Sequence, residues 1–287
     1  MNNLRTDSRV KLECSARMVT FLFWNLNKSD CLASVGRLVT QHAVDLLVLA
    51  ESSLANDAVL LMLNAGERKE FHFNPGNCPR IAMFSKYPSD RIRPLHESNR
   101  VSIRRLDLTL TLDILLVAAH LPSKLHRSSE EQAFAVSEIA RDIAATERKV
   151  GHARTLLVGD LNMNPFENGL IAATCLHATM DRRIAQRGSR TVDQKPRPFF
   201  YNPMWSLLGD ASPGPPGTYY RSEGGHVAYF WHMFDQVLVR PDLLTAFDNE
   251  TLKILDSDGT KSLVNSSGVP NATESSDHLP ILFRLDL

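Results

Sequence analysis

Cysteine is scarce and scattered in this chain, with Cys14, Cys31, Cys78 and Cys175 spread over 287 residues and no C-x-x-C pair among them. That spacing excludes a zinc knuckle or a disulfide framework as the organiser of the fold. Long apolar runs are missing as well, and no stretch approaches the roughly 20 residues that a membrane span needs. Residues 1–17 are polar and lack the apolar centre of a secretory signal. The expected setting is therefore a reduced, cytoplasmic one without membrane contact. Charge of one sign is also absent, because 32 Lys and Arg balance 32 Asp and Glu. A neutral molecule is not a basic glove for nucleic acid over its whole surface. Neither a repeat nor a low-complexity linker divides the chain, so a polar extension at 1–17 and a single domain over 18–287 are expected.

Two local excesses of positive charge stand out against that neutrality. Residues 80–105 carry seven Lys and Arg against two acids, and residues 181–197 carry six against two. Each patch fits a solvated face as well as it fits a phosphate groove. Short apolar runs alternate with helical periods through the first half, the mark of layered α/β architecture. One helix is expected from Ser29, with Leu32, Val35, Leu38, Val39 and His42 on one face. A second begins at "SSEEQ", where Ser128 or Ser129 can cap, Glu131 or Gln132 can close a capping box, and Gly151 suits the exit. Between 80 and 120 the runs "RIAMFSKY", "RIRPLH", "RVSIRRLDLTL" and "LDILLVAAH" follow one another closely, which predicts antiparallel hairpins. Residues 181–232 and 256–276 read as long loops before a last strand in "LPILFRLDL".

The stretch "TLLVGDLNMNP" shows what these strands have in common, since a greasy run ends with an acid and an amide two residues apart. In extended chain Asp160 and Asn162 share one side. Three other runs end alike: "MVTFLFW" at Asn25, "VDLLVLA" at Glu51 and "LDILLVAA" at His120. Two more reverse the order, with Asp235 just before "QVLV" and Asp277-His278 just before "LPILF". Singly, each has an ordinary reading as a turn residue, a buried histidine or a strand cap. Gathered at one rim, they require four arriving strands and two departing ones, hence mixed rather than all-parallel sheets. They would supply carboxylate and amide oxygens, which suit Mg²⁺ or Mn²⁺ better than zinc.

In that order, "WNLN", "LAES", "AAHLPS", "VGDLNMNP", "FDQVLV" and "SDHLP" make the chain resemble the endonuclease/exonuclease/phosphatase superfamily of deoxyribonuclease-I-like enzymes. The resemblance implies a four-layer α/β sandwich, two packed mixed β-sheets flanked by helices, and metal-assisted hydrolysis of phosphoesters. It implies that Glu51 is the main carboxylate ligand of Mg²⁺, with Asn25 beside it and Asp277 serving a metal or orienting a neighbour. His278 would act as general base or transition-state stabiliser, oriented by Asp235. Asp160 and Asn162 would position or activate the attacking water and hold a phosphate oxygen. His120 would steady the non-bridging oxygens, a position where the abasic-site branch carries Tyr-x-Pro-Asn instead. Arg80, in "RIAMFSKYP", would contact phosphate.

Substrate choice is expected to lie in the aromatic loop before Asp235. Tyr201, Trp205, Tyr219, Tyr220 and Trp231 could stack bases there or anchor the loop to the core. The leading expectation is a Mg²⁺-dependent nuclease or DNA-repair-type phosphodiesterase with a nucleic-acid substrate and no evident protein partner. The alternatives are a phosphatase or phosphodiesterase acting on a small phosphorylated headgroup, and a binding module that kept the fold without catalysis.

Overall fold

The computed structural model describes residues 18–66, 69–107, 112–124, 127–223 and 226–287, so the expected 1–17 extension and Cys14 lie outside the described residues. Runs that are apolar at every position leave no side for water and must be covered on both faces. The strands β1 (Met18–Asn25) and β2 (Leu46–Ala50) are of this kind, and in chain order they alternate with α1 (Leu32–Gln41) and α2 (Asn56–Leu63) before β3 (His72–Phe73) and β4 (Ile81–Ser85). Next come β5 (Ile92–Glu97), β6 (Val101–Leu106), β7 (Ile114–His120), α3 (Ser129–Val150) and β8 (Thr155–Asp160). Shorter pieces follow: α4 (Asn168–Ile171), β9 (Ala178–Thr179), α5 (Arg182–Ala185), β10 (Ser189–Val192), β11 (Lys195–Pro198) and β12 (Phe200–Tyr201). The remaining strands are β13 (Tyr219–Tyr220), β14 (Trp231–His232), β15 (Asp235–Val239), β16 (Lys253–Ile254) and β17 (Ile281–Asp286).

Two large sheets result, one in the order β16-β17-β1-β2-β4-β3 and the other β5-β6-β7-β8-β15-β12-β9. Both are mixed. β1 runs parallel to β2 and antiparallel to β17, while β8 runs parallel to β7 and antiparallel to β15. Strand alternation sorts the apolar side chains into three seams. Phe21, Phe23, Val48, Leu116, Val158, Val237 and Phe283 fill the space between the sheets, with Phe21 stacked on Phe283 at 5.1 Å. Leu22, Trp24, Leu47 and Leu49 point the other way, onto Val35, Leu38 and Val39 of α1 and Val59 of α2. Val117 and Leu157 likewise meet Val136 and Ile143 of α3. Three seams between four layers make the α/β sandwich that the resemblance implied.

Local expectations fared unevenly. The capping box at Ser128 and Glu131 is formed, and Gly151 closes α3 in the left-handed conformation at φ +82°. The first helix starts at Leu32, three residues later than expected, behind Cys31, which makes no side-chain cap. The run at 80–87 is not part of a hairpin series, because β4 joins β2 and β3 in one sheet while β5, β6 and β7 pair in the other. The chain crosses between sheets there, which closely spaced strands do not reveal. The 181–232 stretch contains two small hairpins, β10 with β11 and β13 with β14.

Each basic patch has a member with a structural role. Arg104 is buried, bonded to Asn74 O at 2.7 Å and paired with Glu97 at 3.2 Å. Half-buried Arg182 donates to the Leu244 and Phe247 carbonyls, whereas the Arg183 side chain is 90 % exposed. Arg182→Ala is therefore expected to destabilise the fold by about 1.5–3 kcal/mol. Arg183→Ala should leave the urea midpoint within error of the parent. Equal midpoints for the two variants would return Arg182 to the solvated-face reading.

Candidate active site

The rim where β1, β2, β7 and β8 end holds a cavity of about 280 Å³. Asn25, Glu51, His120, Asp160, Asn162, Asp277 and His278 all line it, although they come from both sheets and span more than 250 residues of sequence. Strand register explains the convergence, since His120 lies opposite Asp160 and Asp160 opposite Asp235. Gly159 is what lets these strands close up, because a Cβ there would land on the Ala119 carbonyl.

Glu51 adopts φ +46° and Asn162 φ +50°, left-handed conformations that side-chain-bearing residues seldom hold. The Glu51 backbone is fixed in that turn by bonds from Lys28 N to its carbonyl and from its own N–H to Arg80 O. Its carboxylate oxygen Oε1 lies 3.1 Å from His120 Nε2 and 3.7 Å from Arg80 NH1. Asp160 is wholly enclosed. Its Oδ2 accepts from Asn25 Nδ2 at 2.8 Å and Asn162 Nδ2 at 3.1 Å, and its Oδ1 from Asn162 N at 2.9 Å. Burial raises its pKa above the usual carboxylate value, while His278 and His120 oppose that rise. A raised carboxyl pKa moves the group toward useful basicity.

The two histidines are driven in opposite directions. Burial depresses His120 to about 4, with Arg80 and Arg100 adding to it against the charge of Asp160. Its Nδ1 faces Arg80 NH1 at 3.4 Å, which leaves the ring proton on Nε2 beside Glu51 and Asp160. The acidic partner of His120 that the sequence did not reveal is therefore Glu51. For His278, burial acts downward, but the charge and hydrogen bond of Asp235, helped by Asp160 and Asp277, carry it up to about 10. The Asp235 Oδ2 to His278 Nδ1 distance is 2.8 Å. Ser276 fixes the turn before that histidine, donating from Oγ to Asn25 O and accepting from His278 N.

Side-chain chemistry separates a metal subsite from the ionic dyad. Ligand atoms of Asp160, Asp235 and His278 lie within 4.8 Å of one another, yet most are already engaged, Asp160 by Asn25 and Asn162 and His278 by Asp235. Glu51 Oε1 faces the Arg80 guanidinium and the His120 Nε2–H, and Asn25 and Asp277 line the same cavity. These three could hold a hard divalent cation through oxygen, so the donor set fits Mg²⁺ or Mn²⁺.

Over residues 22–278 the chain matches the model of the Endonuclease/Exonuclease/phosphatase family. The chain belongs to that family. It is accordingly a metal-dependent hydrolase of phosphoester bonds. Among solved structures, a truncated Caenorhabditis elegans TDP2 shares the fold at TM-score 0.55 and 15% identity, covering 94% of this chain and 98% of that one. A Neisseria 3' phosphatase, NExo, bound to a product DNA hairpin, gives TM-score 0.52 and 17% identity over 94% of this chain and 100% of that one. The human Nocturnin catalytic domain with bound sulfate gives 0.57 and 12% over 93% and 94%. Comparison with curated protein sequences returns no match.

Two residues expected at the substrate lie elsewhere. Tyr201 is buried in the seam between the sheets, its hydroxyl accepting from Asn249 Nδ2 at 2.7 Å, so it has no face for a base. Trp231 packs against the helix-side core, and strand alternation turns its neighbour His232 to the cavity instead. Arg80 stands at the site, between Glu51 and His120. Several supporting residues escaped sequence reading. Asn164 bonds Met233 N at 2.9 Å and His232 Nδ1 at 3.0 Å, holding β14 beside the cavity. Thr218 Oγ1 accepts from the backbone N–H groups of Phe234 and Asp235, bracing the strand that carries the dyad acid. The N-x-N spacing of Asn162 and Asn164 was the one signal that could have pointed to the former. Among the described residues no helix is long and apolar enough to cross a membrane.

Proposed function

We propose that the chain is a Mg²⁺-dependent nuclease or DNA-repair-type phosphodiesterase, in which water attacks the phosphorus in line with the leaving oxygen. The observation that carries this reading is the cavity itself. It sets a buried acid with raised pKa, a His–Asp dyad and a carboxylate facing Arg80 around one space, with Lys124 and Arg221 on its wall. Glu51, Asn25 and Asp277 would hold Mg²⁺, or Mn²⁺ in its place, and the bound ion would supply charge stabilisation to the phosphoryl oxygens. Asp160 takes the proton of the attacking water, and Asn162 and Asn25 hold the carboxylate in position for it. His278, kept protonated by Asp235, offers Nε2–H to a phosphoryl oxygen as its charge grows. His120 Nε2 and Arg80 steady the remaining oxygens.

An activity panel tests the assignment. Single-stranded DNA, duplex DNA, RNA, a 5′-adduct on DNA and inositol phosphates would be offered with Mg²⁺, with Mn²⁺ and with EDTA. Metal-dependent cleavage of at least one nucleic acid is expected. Turnover confined to inositol phosphates would replace this reading with the small-headgroup one.

A further inference from the structure

A run of aromatic rings leads outward from the reacting centre, and the reaction just described uses none of them beyond its first member. The His278 ring lies 4.8 Å from that of Tyr219, which stacks on Phe234 at 5.2 Å and sits 6.1 Å from His232. His232 meets Tyr229 at 5.9 Å, Tyr229 meets Phe166 at 5.5 Å, and Phe166 meets Trp205 at 6.2 Å. Five ring-to-ring steps thus link the catalytic imidazole to Trp205.

Exposure peaks in the middle of the run, at the hairpin residues, while Phe166 and Trp205 beyond them are half-buried. Tyr219 is half-buried, whereas Tyr229 is 54% exposed and its neighbour Phe230 48%. Contiguous exposed apolar groups of this kind mark interaction surfaces. Phe230 is held at φ +62°, a rare conformation for a bulky residue, with its carbonyl accepting from Arg221 N at 2.8 Å and its ring over Tyr220 at 6.5 Å. Strain that projects an aromatic ring into solvent beside an active site points to a ligand. Arg221, at the end of β13, lines the cavity together with Lys124, which is paired with Glu167.

Aromatic faces flanked by cations match unpaired bases on a phosphate backbone. Bases stacked in a duplex repeat at roughly 3.4 Å, closer than any step in the run, and keep their faces covered. Only a strand with splayed bases can interleave here. We infer that the substrate is an unpaired nucleic-acid strand whose bases beside the scissile phosphate lie over Tyr229, Phe230 and Phe166, while Lys124 and Arg221 take its phosphates. This inference rests on the phosphodiesterase reading above.

Fluorescence anisotropy in EDTA, which prevents cleavage, separates the contributions. The probes are a single-stranded DNA oligonucleotide, a base-free strand of the same length, and a blunt duplex. The parent protein should bind the single strand most tightly. Tyr229→Ala with Phe230→Ala should weaken that binding by roughly 5- to 100-fold, leave the base-free strand unchanged, and preserve the salt slope because no charge is removed. Both residues are exposed, so an unchanged urea midpoint is expected, and Tyr229→Phe should bind like the parent. Parent-like binding by the double variant, equal losses on both strands, or duplex binding as tight as single-strand binding would each overturn the inference. So would loss of binding to phosphatidylserine vesicles with single-strand binding intact, which would make the hairpin a membrane anchor. If the parent cleaves nucleic acid while the double variant binds normally, only the ring surface is refuted; if it neither binds nor cleaves any, the proposed function falls as well.

Discussion

Asp235→Asn is expected to lower turnover by roughly 10²–10⁴-fold, the loss typical of a disabled acid–base group. The carboxylate is fully buried and its Oδ2 is 2.8 Å from His278 Nδ1, while Oδ1 has no hydrogen-bond partner. An amide there removes the charge that outweighs burial, so the His278 pKa should fall from about 10 toward its ordinary value. The pair should act as one unit. Asp235→Asn combined with His278→Ala should be scarcely worse than His278→Ala alone. A double-mutant cycle at saturating Mg²⁺, together with an NMR titration of the imidazole, measures both claims. Additive losses, or an unmoved His278 titration, would break the dyad.

Glu51→Gln should weaken divalent-cation binding by more than the roughly 10–100-fold typical of losing a mere outer-shell partner, and turnover should fall with it. The carboxylate sits on the rim with 22% of its side chain exposed, so the core keeps its packing. Thermal unfolding without added metal is expected to stay near that of the parent. Calorimetric titration with Mg²⁺ and Mn²⁺ reads the affinity directly, apart from any activity. Parent-like affinity, or full activity of the parent in EDTA, would remove Glu51 from the metal subsite.

The parts of this molecule that could be read from its sequence are those where local pattern and long-range structure coincide. An apolar strand ending in Gly-Asp-Leu-Asn announces both a rim position and, through Gly159, a close strand approach. The capping box is local by nature and was legible to within one residue at each partner, Ser128 and Glu131 being the pair formed. Side-chain direction was harder to read. Trp231 and His232 are adjacent, and nothing in their order says which one the β13–β14 hairpin turns toward the cavity. Tyr201 looked like a surface aromatic because its loop is rich in Pro and Gly, yet a single bridge to Val239 draws it into the core. Arg182 and Arg104 counted as patch charges until their carbonyl and carboxylate partners, 7 to 65 residues away, were visible. Such pairings depend on which sheet a strand joins, and β4 shows that spacing along the chain does not decide that.

The place of β17 beside β1 bears on how the hydrolase comes into being. A chain emerging from its N-terminus has Asn25, Glu51, His120, Asp160, Asn162 and Asp235 in place before β17 is made. Its first strand then lacks the antiparallel neighbour that runs from Met18↔Asp286 to Phe23↔Ile281, and Asp235 waits without its imidazole. Ser276, whose hydroxyl ties the His278 turn to Asn25, also arrives late. Hydrolytic competence is therefore expected to depend on the docking of β17 rather than to accumulate strand by strand.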